Sequence, residues 1–435
     1  NGVTKQATTE YDFNKVMARL GTDSYQRYTV DSNQRLTDDV AVRANLVFAD
    51  QDVPNRDPAA RERKGAALSG LWEASDKLEL RADYYYLDAT DKPDLGSYIA
   101  SGGDPYKNIP VYLQDGDFLQ SDVEVFTFSA DYEFSDNLSI SNATRYGTTD
   151  NSYVVTGARG NVRAANDPLA PGAFTISAST HQSWQEVEHL VNQTNLYLDL
   201  DLGGMKHQFV FGGEYSEHNV LNGVFAFTNT GTSNCRVGTN ANNAGYCLLD
   251  ASGNVVGNLQ NLLGRQVAKG QWDIDWSVDT LSVYAMDTID LTEELSLFLG
   301  LRMDDFDYEL TTQSNTFVLT DYAYGDTLWN GHVGLVYDVT DNGNVYASWS
   351  SSSEINGGES DVGTSCGYGG VCVPTGLPLA LGESDPEHSE NLELGTKWNL
   401  LEGKLLATAA VFRITKDDVM EAVSGNSYIN LGSLN

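Results

Sequence analysis

No apolar run in the sequence approaches the roughly 18 residues that a membrane-spanning helix needs. If the chain lies in a membrane, it must cross as a closed β-barrel, because only closure satisfies every backbone group in lipid. Proline is scarce, at 10 of 435 residues, which suits long uninterrupted strands. Basic residues are outnumbered: 26 Lys and Arg stand against 61 Asp and Glu, a formal net charge of −35. That sign makes nucleic acid a poor match as a partner. It suits a hydrated lumen and solubility, or loop carboxylates that gather divalent cations. The start, Asn1-Gly2-Val3, has neither a charged n-region nor an apolar h-region. The sequence is therefore expected to begin after any signal peptide.

Cysteine is limited to four residues in two close pairs, Cys235 with Cys247 and Cys366 with Cys372. No histidine lies near either pair, and the spacings do not resemble a zinc site. Two local disulfides in an oxidising compartment fit better. Each would be worth ~2–3 kcal/mol by loop-closure reasoning.

Long two-faced segments are abundant. In Lys77–Asp88, Leu78, Leu80, Ala82, Tyr84 and Tyr86 alternate with Glu79, Arg81, Asp83 and Tyr85. Leu196, Leu198, Leu200 and Leu202 alternate with Asn195, Tyr197, Asp199 and Asp201. Leu295–Asp304 and Asn391–Trp398 repeat the pattern. Period-two alternation marks strands with one apolar face. A soluble sandwich alternates too, but these strands run to about 10–15 residues, against an average of about 5–6 in soluble sheets. Their polar faces carry repeated charges, and aromatics such as Tyr132, Phe134, Tyr337 and Trp398 recur near strand ends.

Short polar turns alternate with long connections. The turns include Glu73–Lys77, Ser135–Asn137, Leu202–Met205, Leu291–Glu294, Thr340–Gly343 and Leu400–Gly403. The connections run, for example, from Asp88 to Asp122 and from Leu221 to Trp276. This predicts an all-β transmembrane antiparallel barrel with short periplasmic turns and long extracellular loops. The rhythm predicts about fifteen complete strands, from near Tyr11 to near Lys416, and a sixteenth starting near Ser427. Both cysteine pairs fall on the outer side.

Several stretches then resemble one family, the TonB-dependent outer-membrane receptors, and within it the ferric-siderophore group with catecholate-type members. Asn1–Ala7 is similar to the end of that family's plug domain. Asp23–Asp31, with Arg43 in Val42–Asn45, is similar to its first strands. Asp91–Gly96, His207–Glu214, Tyr284–Asp287 followed by Gly300–Phe306, and Pro386–Trp398 follow in the family's order. The resemblance implies residues 1–8 as the end of a plug and its linker, and 9–435 as barrel. It also implies a complete barrel of about 22 strands, so the sequence is expected to be a piece of a longer chain.

The function implied is active import of a scarce, bulky ligand, most often a ferric siderophore, driven through a TonB complex. No cofactor and no catalysis are implied. Asp304 and Asp305 are adjacent on a strand, so they face opposite ways and should not share an ion. Asp304 is expected to join Arg302 in an inward charge network. His207 is expected at the periplasmic rim and His332 near the top of an inward face.

Ferric catecholates are flat, anionic and aromatic, so ligand contacts are expected from aromatics and cations of the outer loops. The candidates are Tyr106, Lys107, Tyr112, Tyr153, Arg159, Arg163, Arg265, Trp272, Tyr322, Tyr324 and Trp329, each with a structural role in loop packing as the alternative. Alternatives are a glycan or cobalamin as ligand, calcium held by loop carboxylates, a passive porin, and a surface-interaction barrel. Partners expected besides the ligand are outer-membrane lipid, lipopolysaccharide and an accessory outer-membrane subunit.

Overall fold

The computed structural model describes residues 4–96, 110–160, 175–231, 245–250, 252, 254–355, 386–424 and 427–430. A 16-stranded sheet holds almost all of the regular structure. Its strands in chain order begin β1 (Phe13–Leu20), β2 (Gln26–Arg35), β3 (Val40–Asp52), β4 (Ala60–Ser75) and β5 (Leu78–Lys92). There follow β6 (Phe118–Ser135), β7 (Leu138–Gly160), β8 (Thr175–Leu202), β9 (Met205–Asn229) and the short β10 (Gly245–Cys247). The rest are β11 (Arg265–Asp290), β12 (Leu295–Gln313), β13 (Leu319–Thr340), β14 (Gly343–Glu354), β15 (Glu387–Leu400) and β16 (Leu405–Asp417). Each pairs antiparallel with the next, except that β10 pairs only with β8, so that β9 lies directly beside β11.

The expected fifteen-strand meander is present, ending at Asp417. The expected sixteenth strand is not an extension of it. Ser427–Asn430 is extended, but it pairs with Met420–Ser424 in a separate two-stranded sheet.

The short turns close tightly for a local reason. Between Leu202 and Met205 the chain reverses through Gly203 and Gly204, at φ 62° and 85°. A two-residue reversal with both φ angles positive is the turn that matches strand twist, and glycine takes it without steric cost.

One sheet face is apolar and exposed, as lipid contact requires. It carries Leu68, Trp72, Phe126, Phe128, Phe211, Val283, Leu301, Val333, Leu335, Leu392 and Leu394. The opposite face carries the charges. Residues 4–10 lie against it: Ala7 N–H donates to Ser69 Oγ (3.0 Å), Thr8 N–H to Asn33 Oδ1 (3.0 Å), and Arg81 to the Ala7 carbonyl (3.1 Å). Several inward rings lie flat over a glycine on the neighbouring strand. A Cβ on Gly300 would come within 2.1 Å of the His332 ring, and one on Gly212 within 2.0 Å of the Tyr284 ring.

The strands run further toward the long-loop end than the alternation predicted. β5 continues past Asp88 to Lys92, β9 continues past Leu221 to Asn229, and β11 begins at Arg265, ahead of Trp276. The register explains the difference. Asp88, Asp122, Asp150 and Glu186 stand directly opposite one another across β5–β8, on the same side as the apolar band. Above that band the outward face meets water, so polar residues replace apolar ones while the ladder continues.

Candidate ligand-binding site in the lumen

The inward face of the long strands forms an aromatic wall toward the long-loop end. β11 supplies Trp276, β12 supplies Phe306 and Tyr308, and β13 supplies Tyr322 and Tyr324. Register puts Tyr308 directly opposite Tyr324, with ring centroids 5.5 Å apart, and Phe306 meets Tyr324 edge-on at 5.3 Å. Trp276 stacks at a tilt on Tyr308 (5.9 Å) and on His218 (5.3 Å). Trp276 and Tyr308 are each 1% exposed. Offset and edge-on pairs of this kind are favoured by the ring quadrupoles. Trp276 Nε1 and both polar atoms of the neighbouring Asn222 side chain have no hydrogen-bond partner. Buried polar groups are almost always satisfied, so these atoms are exceptions within the packed wall.

Two of the expected ligand residues, Tyr322 and Tyr324, belong to this wall. Tyr153 lies elsewhere on the inward face, in a concavity of about 320 Å³ that it lines with Arg63, Asn151 and Gln185. Arg63 is held there by Asp91 through two bonds of 2.5 and 3.0 Å. Trp272 sits at a register irregularity of β11, its carbonyl accepting from Gln313 Nε2 (2.8 Å).

Three candidate ligand contacts need correction. Arg265 and Tyr112 take the loop-packing role instead, and both are buried. The Arg265 and Asp117 side chains are ion-paired at 0% and 1% exposure. Thr156 bonds to both, and Gln114 N–H donates to Asp117 Oδ2 at 2.9 Å. Burial, the largest influence on each, pushes the Asp117 carboxyl up and the Arg265 guanidinium down, against their attraction. Gln114 extends the tie to the Leu259 carbonyl and the Leu263 N–H, each at 3.0 Å. Tyr112 packs with Ile176, Tyr246, Leu248, Leu259 and Leu263, its hydroxyl donating to the Gly96 carbonyl (2.9 Å). Arg265 and Tyr112 therefore build a packed unit from several outer connections. Trp329 is 56% exposed and paired with Met303 on the outer face, so it points away from the lumen.

Cys247 is buried and disulfide-bonded. Cys235, Cys366, Cys372, Tyr106, Lys107 and Arg163 lie outside the described residues, as does the side chain of Arg159, whose backbone is in β7. The inward network is as expected. Arg302 donates to Asp304 (2.7 Å) and Glu214 (2.9 Å), while Asp305 on the other face accepts from Thr327 (2.6 Å). His207 sits beside the Gly203-Gly204 turn, 2.8 Å from Asp287. The sequence reading missed Trp276, Phe306 and Tyr308. The signal was available: Phe306 and Tyr308, like Tyr322 and Tyr324, are two apart and so share a face.

Comparison with known proteins gives a consistent picture. The family described as "TonB dependent receptor-like, beta-barrel" matches residues 68–434. The probable TonB-dependent siderophore receptor PiuA of Acinetobacter baumannii is 27% identical over 97% of this chain and 56% of its own length. The catecholate siderophore receptor Fiu of Escherichia coli K12 is 25% identical over 95% of this chain and 56% of its length. The chain thus spans a little over half the length of these relatives. The crystal structure of PiuA superposes with a TM-score of 0.81 at 26% identity, covering 99% of this chain and 60% of that one. The closed form of Fiu from E. coli superposes with a TM-score of 0.77 at 22% identity, covering 99% and 62%. The strand order, the two-faced sheet and these matches place the chain in the outer membrane of a Gram-negative bacterium, as a member of the TonB-dependent receptor β-barrel family.

Proposed function

We propose that this chain is most of the barrel wall of a receptor that imports a ferric siderophore with energy relayed by a TonB complex. The observation that carries the reading is the aromatic wall, where the half-buried Tyr322 and Tyr324 face the lumen over the packed rings of Trp276, Phe306 and Tyr308. Phenolic rings presented to the lumen suit a ligand that is itself aromatic and rich in oxygen. Similarity to PiuA and Fiu, whose names describe siderophore receptors, supports the same ligand class.

Residues 1–8 are then the end of a plug and its linker, and 9–435 barrel. The bonds that hold Ala7 and Thr8 to the lumen face support that division. The receptor forms and breaks no covalent bond in this reading. The barrel is the frame, and the outer connections tied by Asp117 and Arg265 shape its mouth. Outer-leaflet lipopolysaccharide and an accessory subunit are further proposed contacts of the outer face.

The test is uptake of radioactive iron by receptor-deficient cells producing the full-length protein. Saturable uptake of a ferric catecholate that stops when the proton gradient is collapsed is expected. Uptake that ignores the gradient favours a passive porin. Uptake of cobalamin or a glycan, with no iron chelate bound or taken up, sinks the siderophore assignment.

A further inference from the structure

The outward apolar face is interrupted by a carboxylate near the periplasmic turns. Asp287 stands directly opposite Phe209 on β9 and Leu299 on β12. Paired residues share a face, and so do residues an even number apart on one strand. Phe211, Val283 and Leu301 are exposed on the lipid side, so Asp287 faces lipid as well. Its neighbours in that row are Leu198, Phe209 and Leu299. In the next row toward the turns, His207 stands between Leu200 and Ile289. Beyond it Leu202 pairs with Met205, so apolar side chains continue to the turn. An ionisable group facing lipid is costly and marks a functional position whose partner should be sought. His207 Nδ1 donates to Asp287 Oδ2 at 2.8 Å, and the two side chains are 11% and 14% exposed. Asp287 Oδ1 has no partner among the described residues. A carboxylate can accept about four hydrogen bonds, so this one is far from satisfied. Asp287 lies three residues before the end of β11 at Asp290, about 10 Å along the strand. A tilted strand spends less than that on membrane depth, which brings the pair within reach of periplasmic-leaflet headgroups.

We propose that Asp287 and His207 hold the ammonium headgroup of an ethanolamine phospholipid of the periplasmic leaflet. With its Nδ1–H turned to the carboxylate, the neutral imidazole leaves Nε2 as a second acceptor. The pair then presents acceptors and a negative charge, and a primary ammonium supplies three donors and the opposite charge. A quaternary ammonium lacks the N–H groups, and an anionic headgroup meets repulsion. Phe209, stacked on His207 with ring centroids 5.4 Å apart, and the exposed Phe211 give the acyl chains an apolar surface beside the headgroup. Residues 4–10 lie against the opposite face of the sheet and do not reach this one. The site rests on the outer-membrane placement and is independent of the ligand imported.

Native mass spectrometry of the full-length receptor tests it. The receptor is released from detergent micelles that carry equal amounts of phosphatidylethanolamine, phosphatidylcholine and phosphatidylglycerol with matched acyl chains. About tenfold more bound phosphatidylethanolamine than either competitor is expected, the scale of one hydrogen bond to a charged group. D287N should remove that preference. H207L/D287L, which makes both rows wholly apolar, should remove it as well without lowering the melting temperature, because replacing an ion pair by apolar residues often leaves stability unchanged or raised. Equal retention of the three lipids by the unaltered receptor overturns the proposal, and this arm needs no variant to fold. A preference for phosphatidylethanolamine that persists in folded D287N or H207L/D287L overturns it too, because the headgroup is then held elsewhere.

Discussion

Two stretches of one lumen wall face each other in chemistry. On β11–β13 the inward residues are rings that pack on one another until Trp276 and Tyr308 are almost wholly buried. On β1 and β2 they include Arg19 and Arg27, which stand opposite one another with no carboxylate partner among the described residues, and Lys15, which stands opposite Asp31. Half of the 26 basic residues fall within the first 92 positions, so the asymmetry is carried by the chain as a whole. The first stretch has mostly satisfied itself, and its energy lies in folding. The second keeps a like-charge pair, which costs folding energy. Changes to the rings should therefore lower stability, and a change that removes the like-charge pair should raise it.

The largest effect is expected where the aromatic wall is emptied. Trp276→Ala should cost about 3–5 kcal/mol, because a large buried ring leaves a cavity. Denaturant unfolding in detergent measures this, and a loss under about 1 kcal/mol would mean that the rings are not packed as described. A comparable cost, about 3–5 kcal/mol, is expected for Asp117→Ala, which leaves the Arg265 charge at the head of β11 buried and unpaired. Limited proteolysis should then cut near residues 110–117 and 254–264 while the strands resist. Uncut connections in that variant would argue against the tie.

A smaller effect tests the glycines that keep the lumen face smooth. Gly300→Val should cost about 1–3 kcal/mol through collision with the His332 ring. Gly403→Ala probes a glycine at positive φ with no nearby atoms, so its cost should come from the backbone alone, at about 1 kcal/mol. Thermal unfolding of both variants compares them directly, and the order reversed would be evidence against the ring-over-glycine packing. The smallest effect should have the opposite sign. Arg19→Glu places an acid opposite Arg27 and should stabilise the receptor by up to about 1 kcal/mol. A fall in melting temperature would show that the arginine pair is not in repulsion, and the contrast between the two walls would fail.

Much of the fold was legible because alternation and turn chemistry are local. Leu78, Leu80 and Ala82 declare a face whatever lies beside them, and Gly203-Gly204 declares a reversal. The Arg302–Asp304 contact was legible for the same reason, two residues on one face of one strand. The ends of the strands were not. Above the apolar band no contrast marks the two faces, so Asp88 read as a strand end although the ladder continues to Lys92. Trp329 illustrates the same ambiguity for a site residue, since an aromatic near a strand end suits ligand or lipid equally.

The sequence by itself determined an all-β chain, its number of meander strands, its direction across the membrane and which faces meet lipid. Those follow from a period of two and from turns of a few residues. Only the tertiary structure decided that Arg265 is buried against Asp117, 148 positions away, and that Tyr112 belongs to a packed loop unit. The same holds for Trp276, which gains its place in the aromatic wall from strands on either side. Such contacts depend on loop closure and on register summed over several strands, and neither leaves a mark in the neighbouring residues.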